Sequence, residues 1–174
     1  MNHNIYLIGF MGCGKSTVAK KLESLYQMQS VDMDQIISQR EGMTIPEIFS
    51  VKGESYFREC ESTLLHELNH KTGFVVSCGG GVVMRRENVA LMKEKGDICL
   101  LAARPQTILD RVSRNDDRPL LKGKKNVGDI AALMKTRQPV YEAAADFICF
   151  TDQKSADEIA ADIIETLSKF PSSI

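Results

Sequence analysis

The chain has 174 residues, of which 43% are hydrophobic and 26% charged, and its net charge at pH 7 is −1. This length and composition predict one globular domain with a sizeable core. The near-neutral charge argues against a nucleic-acid partner, and no apolar run approaches the roughly 18 residues of a membrane-spanning helix.

Strand-like and helical segments alternate along the chain. Strands are predicted at 4–8, 29–32, 74–77, 97–102 and 146–150, and helices at 15–26, 33–40, 45–51, 55–69, 86–95, 105–114, 127–143 and 156–170. Thr44 with Glu47 and Ser155 with Glu158 are spaced as capping boxes. The alternation predicts a parallel sheet with helices on both faces and ligands at the carboxyl ends of the strands.

The cysteines and histidines give only general information. The five cysteines (13, 60, 78, 99 and 149) are odd in number and contain no C-x-x-C pair. They predict free thiols in a reducing cytoplasm rather than disulfides or a zinc site. His66 and His70 are spaced to bind a metal on one helix face, but without a third ligand a solvated face is the favoured interpretation.

The first predicted strand and helix are joined by Gly9-Phe10-Met11-Gly12-Cys13-Gly14-Lys15-Ser16, which matches the phosphate-binding pattern G-x-x-x-x-G-K-[ST] at every position. Backbone N–H groups at a helix N-terminus hold phosphates, and glycines let the backbone come close to them. Lys15 then reaches the β- and γ-phosphates, and the Ser16 hydroxyl ligates Mg²⁺. An ordinary glycine-rich turn is the alternative, but the flanking elements favour nucleotide binding.

Two carboxylates follow the second strand, in Val31-Asp32-Met33-Asp34. Because one residue separates them at a strand end, both side chains point to the same side, toward the crevice at the carboxyl ends of the strands. One can support Mg²⁺ through water, and the other can accept a proton from an attacking hydroxyl. A helix N-cap and a first-turn acid would explain them equally well alone. The neighbouring phosphate loop favours the functional interpretation.

Glycines and arginines mark the rest of the candidate site. The third strand runs into Cys78-Gly79-Gly80-Gly81, which suits close approach of a ligand or a tight turn. Arg58, Arg118 and Arg137 are forked donors of the kind that a small carboxylated substrate needs, although isolated arginines usually cover apolar surface. The charged stretch 114–128 is interpreted as a mobile lid rather than a surface loop.

Together these features resemble the shikimate kinase family. The resemblance rests on the phosphate loop, Asp32-Met33-Asp34, Phe57-Arg58, Gly79-Gly80-Gly81, Arg118-Pro119-Leu120-Leu121 and Arg137, in the family's order from about residue 4 to about residue 155. It implies a three-layer α/β/α P-loop NTPase fold with a five-stranded parallel sheet of order 2-3-1-4-5. It also implies a single domain over residues 1–174, with a lid at about 112–127 and a shikimate-binding helical region at about 33–61.

The implied reaction moves the γ-phosphoryl group of ATP to the 3-hydroxyl of shikimate, a step of the chorismate pathway to aromatic amino acids. The resemblance implies a cytoplasmic monomer that uses Mg²⁺. The implied ATP-binding residues are Gly12, Cys13, Gly14, Lys15, Ser16, Thr17, Arg111, Arg118 and Lys154, and the implied metal-binding residues are Ser16 and Asp32. The implied substrate-binding residues are Asp34, Arg58, Gly79, Gly80, Gly81 and Arg137.

Roles also follow from the resemblance. Asp34 would act as the base, Lys15 would hold phosphate, and Arg118 would close with the lid onto the transferring group. Arg111 would pack against adenine. Two positions depart from the family's pattern. Cys13 places a thiol beside Lys15, which makes it a candidate for oxidative inactivation. The segment 151–155 lacks the arginine and proline often found in the adenine loop, and Lys154 is the candidate substitute.

Three other interpretations are consistent with a phosphate loop. Gluconate kinases and nucleoside-monophosphate kinases share the fold, but the arginines and the glycine run favour a carboxylated polyol. A kinase-like sensor without turnover would be expected to lose at least one of Lys15, Ser16, Asp34 and Arg118, all of which are present. A regulatory GTPase would carry an N-K-x-D guanine signature, which does not occur in the chain.

Overall fold

The computed structural model describes residues 3–112 and 126–169. The strands are β1 Asn4–Ile8, β2 Gln29–Asp32, β3 Phe74–Ser77, β4 Gly96–Ala102 and β5 Phe147–Phe150. The helices are α1 Lys15–Tyr26, α2 Met33–Glu41, α3 Ile45–Val51, α4 Glu54–Leu68, α5 Arg86–Lys95, α6 Pro105–Val112, α7 Val127–Ala144 and α8 Ala156–Lys169. Each matches a predicted element within one or two residues. A short 3₁₀ turn at Val82–Met84 was not predicted.

The five strands form one parallel sheet in the order β2-β3-β1-β4-β5, which confirms the predicted topology. Strand β1 lies at the centre, and all its residues are buried. Because β2, β3 and β1 are neighbours, the loops that follow them meet at one edge of the sheet. These are the loops in which the sequence placed the candidate site.

The core lies in two layers, one on each face of the sheet. Alternate residues of a strand point to opposite faces. Ile5 and Leu7 of β1 pack in an apolar cluster with residues of α1 and α8, and Tyr6 and Ile8 pack in a second cluster with residues of α2 to α5. Helix α7 contributes to both clusters. The predicted three-layer α/β/α architecture is therefore confirmed.

Local signals at the helix ends agree with the sequence. Both predicted capping boxes form. The Thr44 and Ser155 hydroxyls accept from the N–H groups of Glu47 and Glu158, whose carboxylates accept from the N–H groups of Thr44 and Ser155.

All five cysteines are free. His66 and His70 are exposed, and α4 ends at Leu68, before His70. Among the described residues, no helix has both the length and the apolar character to cross a bilayer.

A buried polar network links β1 to the elements around the amino end of the sheet. The Tyr6 hydroxyl donates to Asn69 Oδ1 at 2.7 Å and accepts from Asn4 Nδ2 at 3.1 Å. Asn4 Oδ1 in turn accepts from the Phe74 N–H at 3.0 Å. Burial raises the pKa of Tyr6 to about 12, so its hydroxyl keeps the proton it donates. The network satisfies polar groups that water cannot reach.

We expect Tyr6→Phe to lower the free energy of unfolding by about 1–3 kcal/mol, because Asn4 and Asn69 each lose a buried partner while the ring stays in place. Chemical denaturation followed by circular dichroism measures the change. An unchanged midpoint and slope would show that the network adds nothing to stability.

Candidate active site

The phosphate loop, Gly9 to Ser16, joins β1 to α1 and is packed closely against the end of β4. Gly9 has φ of +136°, and a methyl group there would lie 2.5 Å from the carbonyl oxygen of Leu101. Glycine is therefore required at this position by both conformation and space.

The N-terminus of α1 is open to a ligand. The helix begins at Lys15, after Gly14, and no side chain caps it. Its first N–H groups and the positive end of its dipole favour an anion there. The Lys15 ammonium lies across the loop and donates to the carbonyl oxygens of Gly9 at 2.9 Å and Phe10 at 3.1 Å. Thr17, also implied to bind ATP, is exposed in the same first turn.

The Cys13 side chain faces inward. It is fully buried, with Sγ 3.8 Å from Lys15 Nζ. Its backbone remains part of the loop, so the thiol does not obstruct phosphate binding. Burial also shields the sulfur from dissolved oxidants, which weakens the hypothesis of oxidative inactivation.

Oxygen atoms from three segments converge beside α1. The Ser16 hydroxyl donates to Asp32 Oδ2 and lies 3.2 Å from the Ser77 hydroxyl oxygen. Asp32 and Ser77 are register partners at the ends of β2 and β3. The other Asp32 oxygen, Oδ1, accepts from the Gln35 N–H and caps α2. The two interpretations of Asp32 from sequence are thus both compatible with the geometry, since each uses a different oxygen.

In the Gly79–Gly81 run, Gly79 and Gly81 make room for functional side chains, and Gly80 lies beside two more. A methyl group at Gly79 would lie 2.9 Å from Asp34 Oδ1, and one at Gly81 would overlap the Arg58 guanidinium. At Gly80 it would lie 3.5 Å from the Tyr141 hydroxyl and 3.8 Å from Arg137 Nη1. None of the three has a positive φ, so space rather than turn conformation requires glycine at positions 79 and 81, whereas at position 80 a methyl group would lie at ordinary contact distance.

Arg58 is held on several sides at the start of α4. It donates to Glu61 Oε2 at 2.7 Å and, through Nε and Nη2, to Glu54 Oε1 at 3.3 and 2.8 Å. The rings of Phe49 and Phe57 lie 5.8 and 5.5 Å from its guanidinium carbon. Counting bonds within residues 3–112 and 126–169, three of its five N–H donors are used, which leaves one on each terminal nitrogen.

Glu61 is a fully buried carboxylate beneath this arginine. Within the described part of the chain, its Oε1 has no hydrogen-bond partner. Burial raises the pKa of Glu61 to about 7, against the opposing effect of Arg58, and the nearby charge of Asp34 raises it further. Asp34 itself is exposed in the first turn of α2, where an incoming hydroxyl can reach it.

Arg111 connects the phosphate loop to the segment after β5. Its Nη1 donates to the Cys13 carbonyl and to Thr151 Oγ1, at 3.0 and 3.1 Å, and its Nη2 donates to the Thr151 carbonyl at 3.0 Å. Asp152 accepts from the Arg104 N–H and the Thr107 hydroxyl, which ties the same segment to α6. The Lys154 ammonium pairs with Asp162 of α8 at 2.6 Å.

The structure brings together most of the residues implied by the sequence, at the carboxyl ends of β1, β2 and β3. Arg118 and almost all of the predicted lid at 112–127 lie outside the described residues. Four polar residues that contact this region were not predicted from the sequence, namely Ser77, Glu61, Tyr141 and Thr151. Spacing could have suggested two of them, because Glu61 is three residues after Arg58 and Tyr141 four after Arg137 on their helices.

The parallel sheet and the phosphate loop, with carboxylates and arginines beside it, define a P-loop small-molecule kinase. Comparison with known proteins is more specific. The family model described as shikimate kinase matches residues 11–168. A shikimate kinase of Sulfurihydrogenibium sp. is 42% identical, over 95% of this chain and 98% of that protein.

Solved structures agree. A shikimate kinase from Acinetobacter baumannii in complex with shikimate has a TM-score of 0.90 and 33% identity, over 98% of this chain and 96% of that one. A shikimate kinase from Aquifex aeolicus has a TM-score of 0.80 and 35% identity, over 95% and 96%. The chain belongs to the shikimate kinase family, whose activity is the ATP-dependent phosphorylation of shikimate. The resemblance found in the sequence is confirmed.

The raised pKa of Glu61 predicts a pH-dependent stability. The folded value, about 7, lies above the ordinary 4.5, so folding takes up a proton between these limits. The stabilisation that the folded protein gains from this proton is complete below pH about 4.5 and is lost as the pH rises through about 7. In Glu61→Gln this group cannot titrate. Relative to that variant, the free energy of unfolding of the unsubstituted protein should fall by at most about 3 kcal/mol between pH about 4.5 and about 7.

Denaturant titrations at several pH values, on both proteins, measure this difference. Glu94→Gln, at an exposed position of α5, is the matched control and should keep the pH profile of the unsubstituted protein. Parallel profiles for the unsubstituted protein and Glu61→Gln would contradict the assignment.

Proposed function

We propose that this chain transfers the γ-phosphoryl group of ATP to the 3-hydroxyl of shikimate, giving shikimate 3-phosphate and ADP. The supporting observation is that one sheet edge gathers a phosphate loop, an exposed carboxylate and two arginines around a glycine run. We further propose a monomer that acts in the cytoplasm, in keeping with its free thiols.

ATP would lie with its phosphates at the N-terminus of α1. Lys15 already donates to two loop carbonyls, and it would exchange these bonds for phosphate oxygens. Arg111 would present the face of its guanidinium to adenine, since its N–H groups are directed at the Cys13 and Thr151 oxygens. Lys154, paired with Asp162, would contact the base only after leaving that partner.

Ser16 and Asp32 fit a magnesium site. Hydroxyl and carboxylate oxygens are the ligands that Mg²⁺ prefers, and it is usually held by one or two carboxylates together with substrate phosphates. In agreement, residues 3–112 and 126–169 contain no group of three His, Cys, Asp or Glu side chains that could hold a metal alone. When bound, Mg²⁺ would neutralise charge that develops on the β- and γ-phosphate oxygens.

The substrate carboxylate would be held by Arg58 and Arg137. Arg58 is kept in place by Glu54, Glu61 and two aromatic rings, and each terminal nitrogen retains one free donor. Arg137 lies across the glycine run, close to Gly80. The backbone of Gly79–Gly81 would contact a ring hydroxyl between the two arginines.

Asp34 would orient the attacking hydroxyl and take its proton. The hydroxyl oxygen forms a bond to the γ-phosphorus as the bond to the bridging oxygen breaks, and ADP leaves with that electron pair. Because the transition state is loose, most of the rate comes from placement and charge stabilisation. We assign the latter to Lys15 and, in the predicted lid, to Arg118.

We expect shikimate, and neither gluconate nor AMP, to stimulate ADP release from Mg·ATP. We also expect Asp34→Asn to lower kcat for this reaction about a hundredfold or more while ATP still binds. Asp157→Asn, at an exposed position of α8 where the carboxylate pairs with Lys21, is the matched control. Lys15→Met, purified identically, excludes a contaminating kinase. Near-normal turnover of Asp34→Asn would remove Asp34 from the mechanism. ATP binding without stimulation by any acceptor would favour the sensor interpretation.

Arg58→Ala should raise the KM for shikimate by about 10- to 100-fold with little change in the KM for ATP, because it removes a charge-assisted contact of about 1.5–3 kcal/mol. Arg40→Ala is the matched control, since Arg40 also pairs with a glutamate of α4, Glu67, but on the exposed surface. An unchanged KM for shikimate would contradict the carboxylate clamp.

A further inference from the structure

Helix α6 packs against one side of the phosphate loop with its last turn. A methyl group on Gly12 would lie 2.7 Å from Val112 Cγ1 and 3.6 Å from Ile108 Cγ2, so the loop backbone is in close contact with this helix. Arg111, in the same turn, reaches further along the loop, and its Nη1 donates to the Cys13 carbonyl at 3.0 Å. The shape of the loop therefore depends partly on a helix that lies outside it.

Arg111 is anchored on its other side by Thr151, a fully buried residue. The Thr151 hydroxyl accepts from Nη1 at 3.1 Å, and the Thr151 carbonyl accepts from Nη2 at 3.0 Å. Thr151 is in turn held to the end of β4, since its N–H donates to the Ala102 carbonyl at 2.8 Å. The guanidinium is planar and its donors are fixed, so these bonds define its orientation. Through Thr151 and Arg111, the sheet determines where the Cys13 carbonyl lies.

The Cys13 carbonyl sets the direction of a loop N–H. The peptide after Cys13 is trans and planar, so its carbonyl and the Gly14 N–H point in opposite directions. With the carbonyl bonded to Arg111, the Gly14 N–H points away from that guanidinium. Gly14 has φ of +106°, and reversal of the peptide would give it a negative φ, which glycine adopts about as readily. Glycine leaves both orientations accessible, and the bond from Arg111 selects one of them.

We propose that Arg111 is a positioning residue for phosphate binding, whose guanidinium, anchored by Thr151, holds the Cys13 carbonyl so that the Gly14 N–H faces the bound anion. This inference rests on the proposed ATP site. It gives Arg111 a task separate from packing against adenine, because the N–H edge of the guanidinium serves the loop while its face serves the base. Without the anchor, the peptide can reverse and present a carbonyl oxygen, which repels a phosphate instead of binding it.

The test is the binding of inorganic tripolyphosphate, which has the phosphate chain of ATP and no base, measured by calorimetry with Mg²⁺ present. Thr151→Val keeps the shape of the side chain and every N–H of Arg111 but removes one anchor. We expect it to raise the Kd for tripolyphosphate by about 3- to 10-fold, because an N–H of a charged group loses its partner and the guanidinium shifts. Arg111→Lys, which keeps the charge but not the fork, should raise this Kd at least as much.

Thr107→Val is the matched control. It also removes a hydroxyl that links α6 to the segment after β5, but this hydroxyl donates to Asp152 at 2.6 Å instead of accepting from Arg111. The Kd for tripolyphosphate should stay unchanged in this variant. Thermal unfolding of each protein measures stability separately from binding. A merely structural role of Thr151 would lower the unfolding temperature, leave the Kd unchanged and overturn the inference.

Titration with ADP separates the inference from the proposed function. If Arg111→Lys weakens the binding of ADP but not of tripolyphosphate, Arg111 acts on the base alone and the inference fails. If Arg111→Lys weakens tripolyphosphate binding and Thr151→Val does not, the anchor has no effect and the inference fails as well. Binding of ADP without binding of tripolyphosphate by the unsubstituted protein would also overturn it. If the unsubstituted protein binds neither, the proposed ATP site itself fails.

Discussion

The burial of β1 is the constraint on which the rest of the structure depends. The strand has a hydrogen-bonded neighbour on each edge and an apolar cluster on each face, so its position is fixed from four directions. Its end therefore fixes where the phosphate loop starts. Gly9 follows directly, against the Leu101 carbonyl, where no side chain fits. A rigid strand leading into a glycine-rich loop gives the proposed phosphate site a defined backbone shape before a ligand arrives.

The strand order then decides what stands beside that loop. Because β3 lies between β1 and β2, Ser77 and Asp32 reach the same edge and meet Ser16. The Gly79–Gly81 run continues from β3, and α2, α4 and α7 all bring polar side chains against it, one from α2 and two each from α4 and α7. Arg58 compensates the buried Glu61 carboxylate at short range, where an unpaired charge would be costly. The compensation is incomplete, because the second Glu61 oxygen has no hydrogen-bond partner among the described residues.

Much of this was predictable from the sequence, for physical reasons. Periodicity and capping boxes are local, and they predicted the helices and strands to within one or two residues; the phosphate-loop pattern predicted the glycine-rich turn between β1 and α1. The family resemblance gave the strand order. Glu61 and Tyr141 were missed because their importance comes from burial, which depends on how α4 and α7 pack against β3. From sequence, Glu61 resembles a surface partner of Arg58 and Tyr141 an ordinary core aromatic.

The two oxygens of Asp32 have a consequence for how the site communicates. One bonds to Ser16 at the phosphate loop, and the other closes the first turn of α2, the turn that carries Asp34. Any event that pulls this carboxylate toward a nucleotide also acts on the backbone that carries Asp34, the proposed base. The proposed nucleotide and acceptor sites therefore share one carboxylate, which connects them directly through Ser16 on one side and the first turn of α2 on the other.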